Sequence, residues 1–119
     1  DTTVVSGHGS KSGETNFTST DKLYLLSTAE VWVQGGSNTI DEDTARDVTR
    51  QLDYYKNLGT STSNYSGAIK KNGTSASYWW LRSASSVNAN SFLYVSGSGD
   101  CSGYYAYYSS GVAPAFRLG

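Results

Sequence analysis

The chain has 119 residues, a formal net charge of −1, and only 16% charged residues. That length suits one domain, burying roughly two thirds of its unfolded surface, and the near-neutral charge lacks the basic footprint of a nucleic-acid or anionic-membrane binder. With one cysteine, Cys101, and one histidine, His8, neither an internal disulfide nor a Cys/His zinc site can be assembled, and no apolar run approaches the ~20 residues of a membrane-spanning helix.

Residues 1–20, "DTTVVSGHGSKSGETNFTST", are rich in Gly, Ser and Thr and read as a linker or surface loop, with a short edge strand over Thr3–Ser6. Ordered structure is expected from "DKLYLLSTAEVW". Leu23–Leu26 suits a short buried strand. Ser27 followed by Glu30 fits a capping box, in which the serine oxygen and the carboxylate each satisfy one free helix amide. A short helix carrying Ala29, Val31 and Trp32 should follow and stop at Gly35-Gly36. The spacing of Ala45, Val48, Leu52 and Tyr55, bracketed by Ile40 and Leu58, predicts a second and longer helix. Asp41, Glu42 and Asp43 at its start and Lys56 near its end suit the helix dipole.

A polar loop over residues 60–77 leads to three β-type segments: "YWWLRS", "SFLYV" followed by the turn "SGSGD", and the closing "GVAPAFRLG". Pro114 marks an edge or a bulge in the last of these. Two helices followed by a β-rich half, without repeats, define an α+β protein with a small, mostly antiparallel sheet and long loops.

Few residues carry obvious chemistry. Asp41, Glu42, Asp43 and Asp47 resemble a calcium loop only superficially. Counted from Asp41, the sixth and twelfth positions are Arg46 and Leu52, where glycine and glutamate are needed. Helix capping explains the cluster better. His8 has no nucleophile in an ordered context, and Cys101 sits in an expected exposed turn with no base or cation beside it, so neither suggests catalysis. Trp79 and Trp80, adjacent on a strand, face opposite ways: one enters the core and the other lines a pocket or covers a second layer. Trp79, Leu81, Phe116 and Leu118 are the expected core positions of paired strands. Arg82 and Arg117 either point to solvent or are buried guanidiniums that pin loops to the sheet.

Residues 84–110 differ from their flanks. Twenty of these 27 residues are Ser, Gly, Tyr, Asn, Asp or Cys, five are Tyr, and none is Lys, Arg, Glu, Gln, Pro or Trp. Antibody binding loops use the same alphabet, because tyrosine gives a large amphipathic contact with few rotors to freeze while Ser, Gly and Asn adapt around it. Within "SGYYAYYSSG", Tyr104, Tyr105, Tyr107 and Tyr108 are expected to be contact residues rather than core. If the stretch is extended, Ala106 turns toward the sheet, Tyr105 and Tyr107 project together, and Tyr104 and Tyr108 share the other face. Asn88, Asn90, Tyr94 and Asp100 are expected to supply a polar rim.

"DKLYLLSTAEVW", "YWWLRSA" and "GVAPAFRLG", in that order, resemble a bacterial and phage domain family of uncharacterised function. Its marks are an LLS…EV segment, a WWLRS segment and a terminal GV-x-PA-x-R-L. The resemblance covers residues 21–119 and implies a C-type-lectin-like fold of the formylglycine-generating-enzyme type. It further implies kinship with the variable proteins of diversity-generating retroelements, which mutate template adenines to vary a ligand-binding face. An AAC codon mutated at its adenines never yields Lys, Glu, Gln, Met or Trp, and residues 84–110 obey that restriction. The upstream W-x-x-S-x-I-R-x-W-L-N-like segment of the family is absent, so the chain resembles a carboxy-terminal part or a compact version. Formylglycine-generating activity is not carried over without a cysteine pair, nor calcium-dependent sugar binding without the E-P-N or Q-P-D and W-N-D motifs.

The expectation is therefore a non-enzymatic binding module, needing no cofactor and no metal, at residues 21–119, with 84–110 as its variable region. Its partner would be a cell-surface protein or glycan, with no nucleic acid and no membrane involved, and a homo-oligomer is compatible with the resemblance. The setting would be a phage virion or a bacterial cell surface. An invariant structural or adhesion module of such a particle or surface is the alternative.

Overall fold

A computed structural model describes residues 2–6, 17–33, 51–85, 88–116 and 118. The order of elements is β1 (Thr2–Ser6), β2 (Phe17–Asp21), β3 (Tyr24–Leu25), α1 (Thr28–Val31), α2 (Asp53–Asn57), a 3-10 turn (Ser66–Ala68), β4 (Lys70–Asn72), β5 (Ser75–Ser77), β6 (Trp79–Ala84), β7 (Ser91–Val95), β8 (Cys101–Tyr105) and β9 (Pro114–Ala115). The protein is α+β; the described residues hold two short helices and small antiparallel sheets: β1 with β2, β3 with β9, β4 with β5, and the three-stranded sheet β6-β7-β8.

The core follows from period-two alternation on the central strands. In β6, Trp79, Leu81 and Ser83 are buried, and in β7 so are Ser91, Leu93 and Val95. Leu26 just after β3, Val31 and the cap residue Trp32 of α1, Tyr55 of α2 and Ala68 of the 3-10 turn close over them. Each fully buried Leu or Val contributes about 1.5–3 kcal/mol. The indole of Trp79 also has its polar end satisfied, because Nε1 donates to the Ala68 carbonyl at 3.1 Å.

One arginine joins the pieces. Arg82 Nη1 donates to the Leu25 carbonyl at 2.7 Å and to Glu30 Oε2 at 2.5 Å. Glu30 Oε2 also accepts the Ser27 amide at 2.8 Å, which makes it the carboxylate of the expected capping box. The Arg82 amide donates to the Leu26 carbonyl at 2.9 Å, and the Thr28 amide to Ser83 Oγ at 3.1 Å. Of the two alternatives for Arg82, the guanidinium that pins a loop to the sheet is the one found. Arg117 lies outside the described residues.

The last motif completes this frame. Gly111 exchanges two backbone hydrogen bonds with the Tyr78–Trp80 stretch, donating to the Tyr78 carbonyl at 2.9 Å and accepting from the Trp80 amide at 2.9 Å. A Cβ at Gly111 would lie 2.6 Å from the Tyr78 oxygen, so only glycine permits that approach. Three residues on, Leu25 pairs with Pro114 and Tyr24 with Ala115.

Several elements differ from their expected form. The first helix ends at Trp32, whose backbone is extended, well before the glycines at 35–36. Among the described residues of the second expected helix, Asp53–Asn57 is helical, while Leu52, expected within the helix, is extended and exposed. Ile40, Ala45, Val48 and the acidic residues Asp41, Glu42, Asp43 and Asp47 lie outside the described residues, as does His8. The segment expected as a polar loop contains the β4–β5 hairpin, whose two-residue turn opens on Gly73 at φ +65°. Cys101 is not in a turn: it begins β8, half-buried against the core, because the turn closes one residue earlier at Asp100.

Phe116 and Leu118 are not core; they are 61% and 91% exposed. Beyond Gly111, which bridges to Trp79, the closing segment pairs through β9 with β3, and the small residues Ala113 and Ala115 pack on the core instead. With a side-chain period of two, that register turns Val112, Pro114 and Phe116 outward.

Replacing Arg82 with Ala would leave the Glu30 carboxylate without its counter-charge and the Leu25 carbonyl without the guanidinium donor, in a nearly dry setting. We expect a loss of about 3–5 kcal/mol, measured by urea denaturation, and a loss under 1 kcal/mol would contradict this role. Burial, together with the charge of neighbouring Tyr54, pushes the Tyr55 phenol up to about 12. The folded state thus favours the neutral phenol. Its contribution is fully present below the unfolded value near 10 and is lost as pH rises from there toward 12. Alkaline melting curves should fall across that window, less steeply in Tyr55→Phe.

Candidate ligand-binding face

The β6-β7-β8 sheet buries one face and leaves aromatic rings on the other. Trp80 stands opposite Tyr94 across β6–β7, and Phe92 opposite Tyr104 across β7–β8. Alternate positions on each strand point the same way, so these four rings share the outer face. Tyr78, just before β6, meets Tyr94 edge-on at 5.5 Å between ring centroids. Tyr94 also meets Trp80 at 6.0 Å and Tyr104 at 5.7 Å, both edge-to-face. The rings therefore form a continuous row with Tyr94 at its centre. Such pairs are worth about 0.5–1.5 kcal/mol each beyond simple burial.

The row continues around the end of β8. After Tyr105 the chain makes a turn, closed by the Tyr108 amide donating to the Tyr105 carbonyl at 3.0 Å. The Ala106 amide is held by the Asn90 carbonyl at 3.0 Å. This turn stacks Tyr104 on Tyr108 at 4.3 Å and Tyr105 on Tyr107 at 5.3 Å. The expected ring pairings are thus present, but by a different backbone. Ala106 is exposed within the turn and does not face the sheet.

All four of these tyrosines are exposed, Tyr107 most of all at 72%. Partial desolvation among the rings, its hydrogen bond to Tyr108, and the charges of Tyr105 and Tyr104 push the Tyr107 phenol upward. It is a neutral donor and acceptor at any physiological pH.

Tyr78, Trp80, Tyr94, Tyr104 and Tyr108 line an open pocket of about 320 Å³, completed by Ser109 and Ser110. The Ser110 hydroxyl is buried and has no hydrogen-bond partner among the described residues. The lining holds no charged side chain. Its polar groups are hydroxyls and one indole N–H, an arrangement suited to stacking and hydrogen bonding rather than to proton transfer or nucleophilic attack. Among the described residues no three His, Cys, Asp or Glu side chains come together.

Of the residues expected to form the rim, Asn88 and Asn90 do lie at the tyrosine end, exposed in the connection before β7. Tyr94 is not rim but the centre of the row. Asp100 is at the other end of the β7–β8 hairpin from Tyr104, about 13 Å away along a strand. Its carboxylate accepts hydrogen bonds from Ser96 Oγ and from Ser98 Oγ, the latter at 3.1 Å, and so fastens the turn. Gly99, at φ +91°, completes that turn, and a side chain there would strike the Tyr65 carbonyl.

Tyr78, Phe92, Ser109 and Ser110 join the face without having been expected there, and Trp80 takes the pocket-lining place that was one of its two alternatives. The signal for Tyr78 and Trp80 was present in period two: if Trp79 enters the core, both must point away.

The model of the family described as a domain of unknown function, DUF6273, matches residues 1–119, and the chain belongs to that family. No curated protein and no solved structure matches it.

Asp100→Ala should lower stability by about 1–3 kcal/mol through loss of its charged hydrogen bonds. The near-ultraviolet circular dichroism of the tyrosine row should stay as it is. A change in that signal would place Asp100 in the face after all.

Proposed function

We propose that this DUF6273 domain is a non-enzymatic binding module that presents the Tyr78–Tyr108 face to a ligand on a cell surface. One observation carries the reading: Tyr78, Trp80, Tyr94 and Tyr104 run in ring-to-ring contact over the solvent side of a sheet whose opposite side is the core, and Tyr108, Tyr107 and Tyr105 continue the row around the end of β8. Exposed apolar surface is costly to leave unused, and contiguous patches of it mark interaction sites. Tyrosine and tryptophan are also the residues on which interface energy concentrates.

A C-type-lectin-like framework and retroelement diversification of residues 84–110 belong to the same proposal. The three motif segments support it, because they meet in a frame from which the 84–110 region projects as a loop and hairpin. Ser91, Leu93 and Val95 within that region are buried. Tolerated variation would therefore fall on outward positions such as Asn88, Asn90, Phe92, Tyr104, Tyr105, Tyr107 and Tyr108. No helix among the described residues is long and apolar enough to cross a membrane. Display on a virion or a bacterial surface is the setting this function requires.

Changing Tyr105 and Tyr107 together to Ser should shift stability by no more than about 0.5–1 kcal/mol, since both are exposed. Against a partner selected with the parent chain from an array of bacterial surface proteins and glycans, affinity should fall about thirtyfold or more. A double variant that binds like the parent would remove the binding-face reading. In genomic DNA, a near-copy of the 84–110 coding segment differing only at adenines would separate a diversified module from an invariant adhesion module.

A further inference from the structure

Rings can floor a site or wall it, and the difference decides what they hold. Around Tyr94 the ring planes meet steeply, at 80° with Tyr78, 74° with Trp80 and 60° with Tyr104. Two rings in edge-to-face contact enclose a corner, and each turns one face into it. Tyr108 lies nearly parallel on Tyr104, at 27° and 4.3 Å between centroids. All five rings line the same hollow of about 320 Å³. They are therefore walls of one small enclosure, joined to one another by direct ring contact, and not a flat platform.

Walls of this kind select a chemistry. An aromatic face carries the negative end of the ring quadrupole, so a corner of faces attracts a cation without any carboxylate. Apart from the rings, the described lining contributes Ser109 and Ser110. A primary ammonium would bring three N–H donors to be satisfied. A trimethylammonium brings none, because its charge is spread over methyl groups that pack against ring faces as apolar groups do. Its rounded shape touches several walls at once, and the hollow lies at the small end of ligand sites. A sugar ring is matched less well: it is flat and asks for amide or carboxylate groups at its edge, and the described lining contributes neither. A proline-rich strand needs an open groove that runs along it rather than a corner.

We propose that this hollow is an aromatic cage for a trimethylammonium group of the kind a phosphocholine carries, with Tyr94 as the wall shared by Tyr78, Trp80 and Tyr104. This inference rests on the binding-face reading and gives its ligand a chemical class. Tyr105 and Tyr107 are not part of the cage lining, so the two readings fail separately.

The test titrates the 119-residue chain with choline and with neopentyl carbinol, the isostere that has carbon in place of the charged nitrogen. The readouts are the indole N–H resonance of Trp80 and the methyl protons of the ligand, which ring faces move upfield. Choline should bind at least about tenfold more tightly than its neutral isostere. Tyr94→Phe keeps the ring face and should keep that preference, whereas Tyr94→Leu should cut it to about threefold or less. Should Tyr94→Leu fail to fold, Tyr108→Leu in the exposed turn carries the comparison. Capture of the chain by phosphocholine coupled to a soluble dextran assigns a polymer-borne group, and capture by phosphatidylcholine vesicles alone assigns a lipid one. Equal affinity for choline and its isostere, or no binding of choline, overturns the proposal. So does a neutral trisaccharide or a proline-rich peptide that shifts Trp80 where choline does not. The binding-face reading would then still stand or fall on the Tyr105/Tyr107 measurement.

Discussion

Arg82 reaches from the central strand to the Leu25 carbonyl and to the same Glu30 oxygen that caps the first helix. Its own amide holds the Leu26 carbonyl. In one residue, then, the strand that carries Trp79 and Leu81 is locked to the strand–helix corner that carries Leu26, Val31 and Trp32. A guanidinium suits this place because its several N–H donors can serve a carbonyl and a carboxylate together. The arrangement is also demanding. A nearly buried ion pair repays its desolvation only when every donor and acceptor is matched, and removing one partner strands the other.

The rest of the frame hangs from that corner. Leu52 donates to the Glu30 carbonyl, and the Gln51 amide bridges the Val31 and Thr60 carbonyls, which brings in the helix bearing Tyr55. On the far side, Gly111 clasps Tyr78 and Trp80 while Pro114 and Ala115 pair with β3. The segments LLSTAEV, WWLRS and GVAPA are therefore one another's partners. Their residue types are explained by mutual fit, and ligand contact need not be invoked for any of them except Trp80.

This division of labour leaves the β7–β8 hairpin free to serve as a platform. Its inner residues, Leu93 and Val95, are fully buried and anchor it, while its outer residues and its distal turn carry rings held by ring–ring contacts. Tyrosines that stack on each other are already partly ordered, which would lower the side-chain entropy lost in the binding proposed for this face.

Much of this was determined by the sequence alone. The capping pair Ser27 and Glu30, the strand SFLYV with its SGSGD turn, the burial of Trp79 and the exposure of the four clustered tyrosines all follow from local rules. Capping, alternation and turn chemistry act between residues a few positions apart. What only the tertiary structure decided are choices between two locally equivalent outcomes. A two-residue strand such as β9 pairs as well with one neighbour as another, and its choice of β3 put Ala113 and Ala115 on the core and sent Phe116 and Leu118 to solvent. Arg82 could have faced water until the chain brought Glu30 and the Leu25 carbonyl to it from more than fifty residues away. The placement of Tyr94 at the centre of the ring row, and of Asp100 outside it, depended on which strand ends meet. Register between distant strands is set by the packing of the whole core, and a window of sequence holds no record of it.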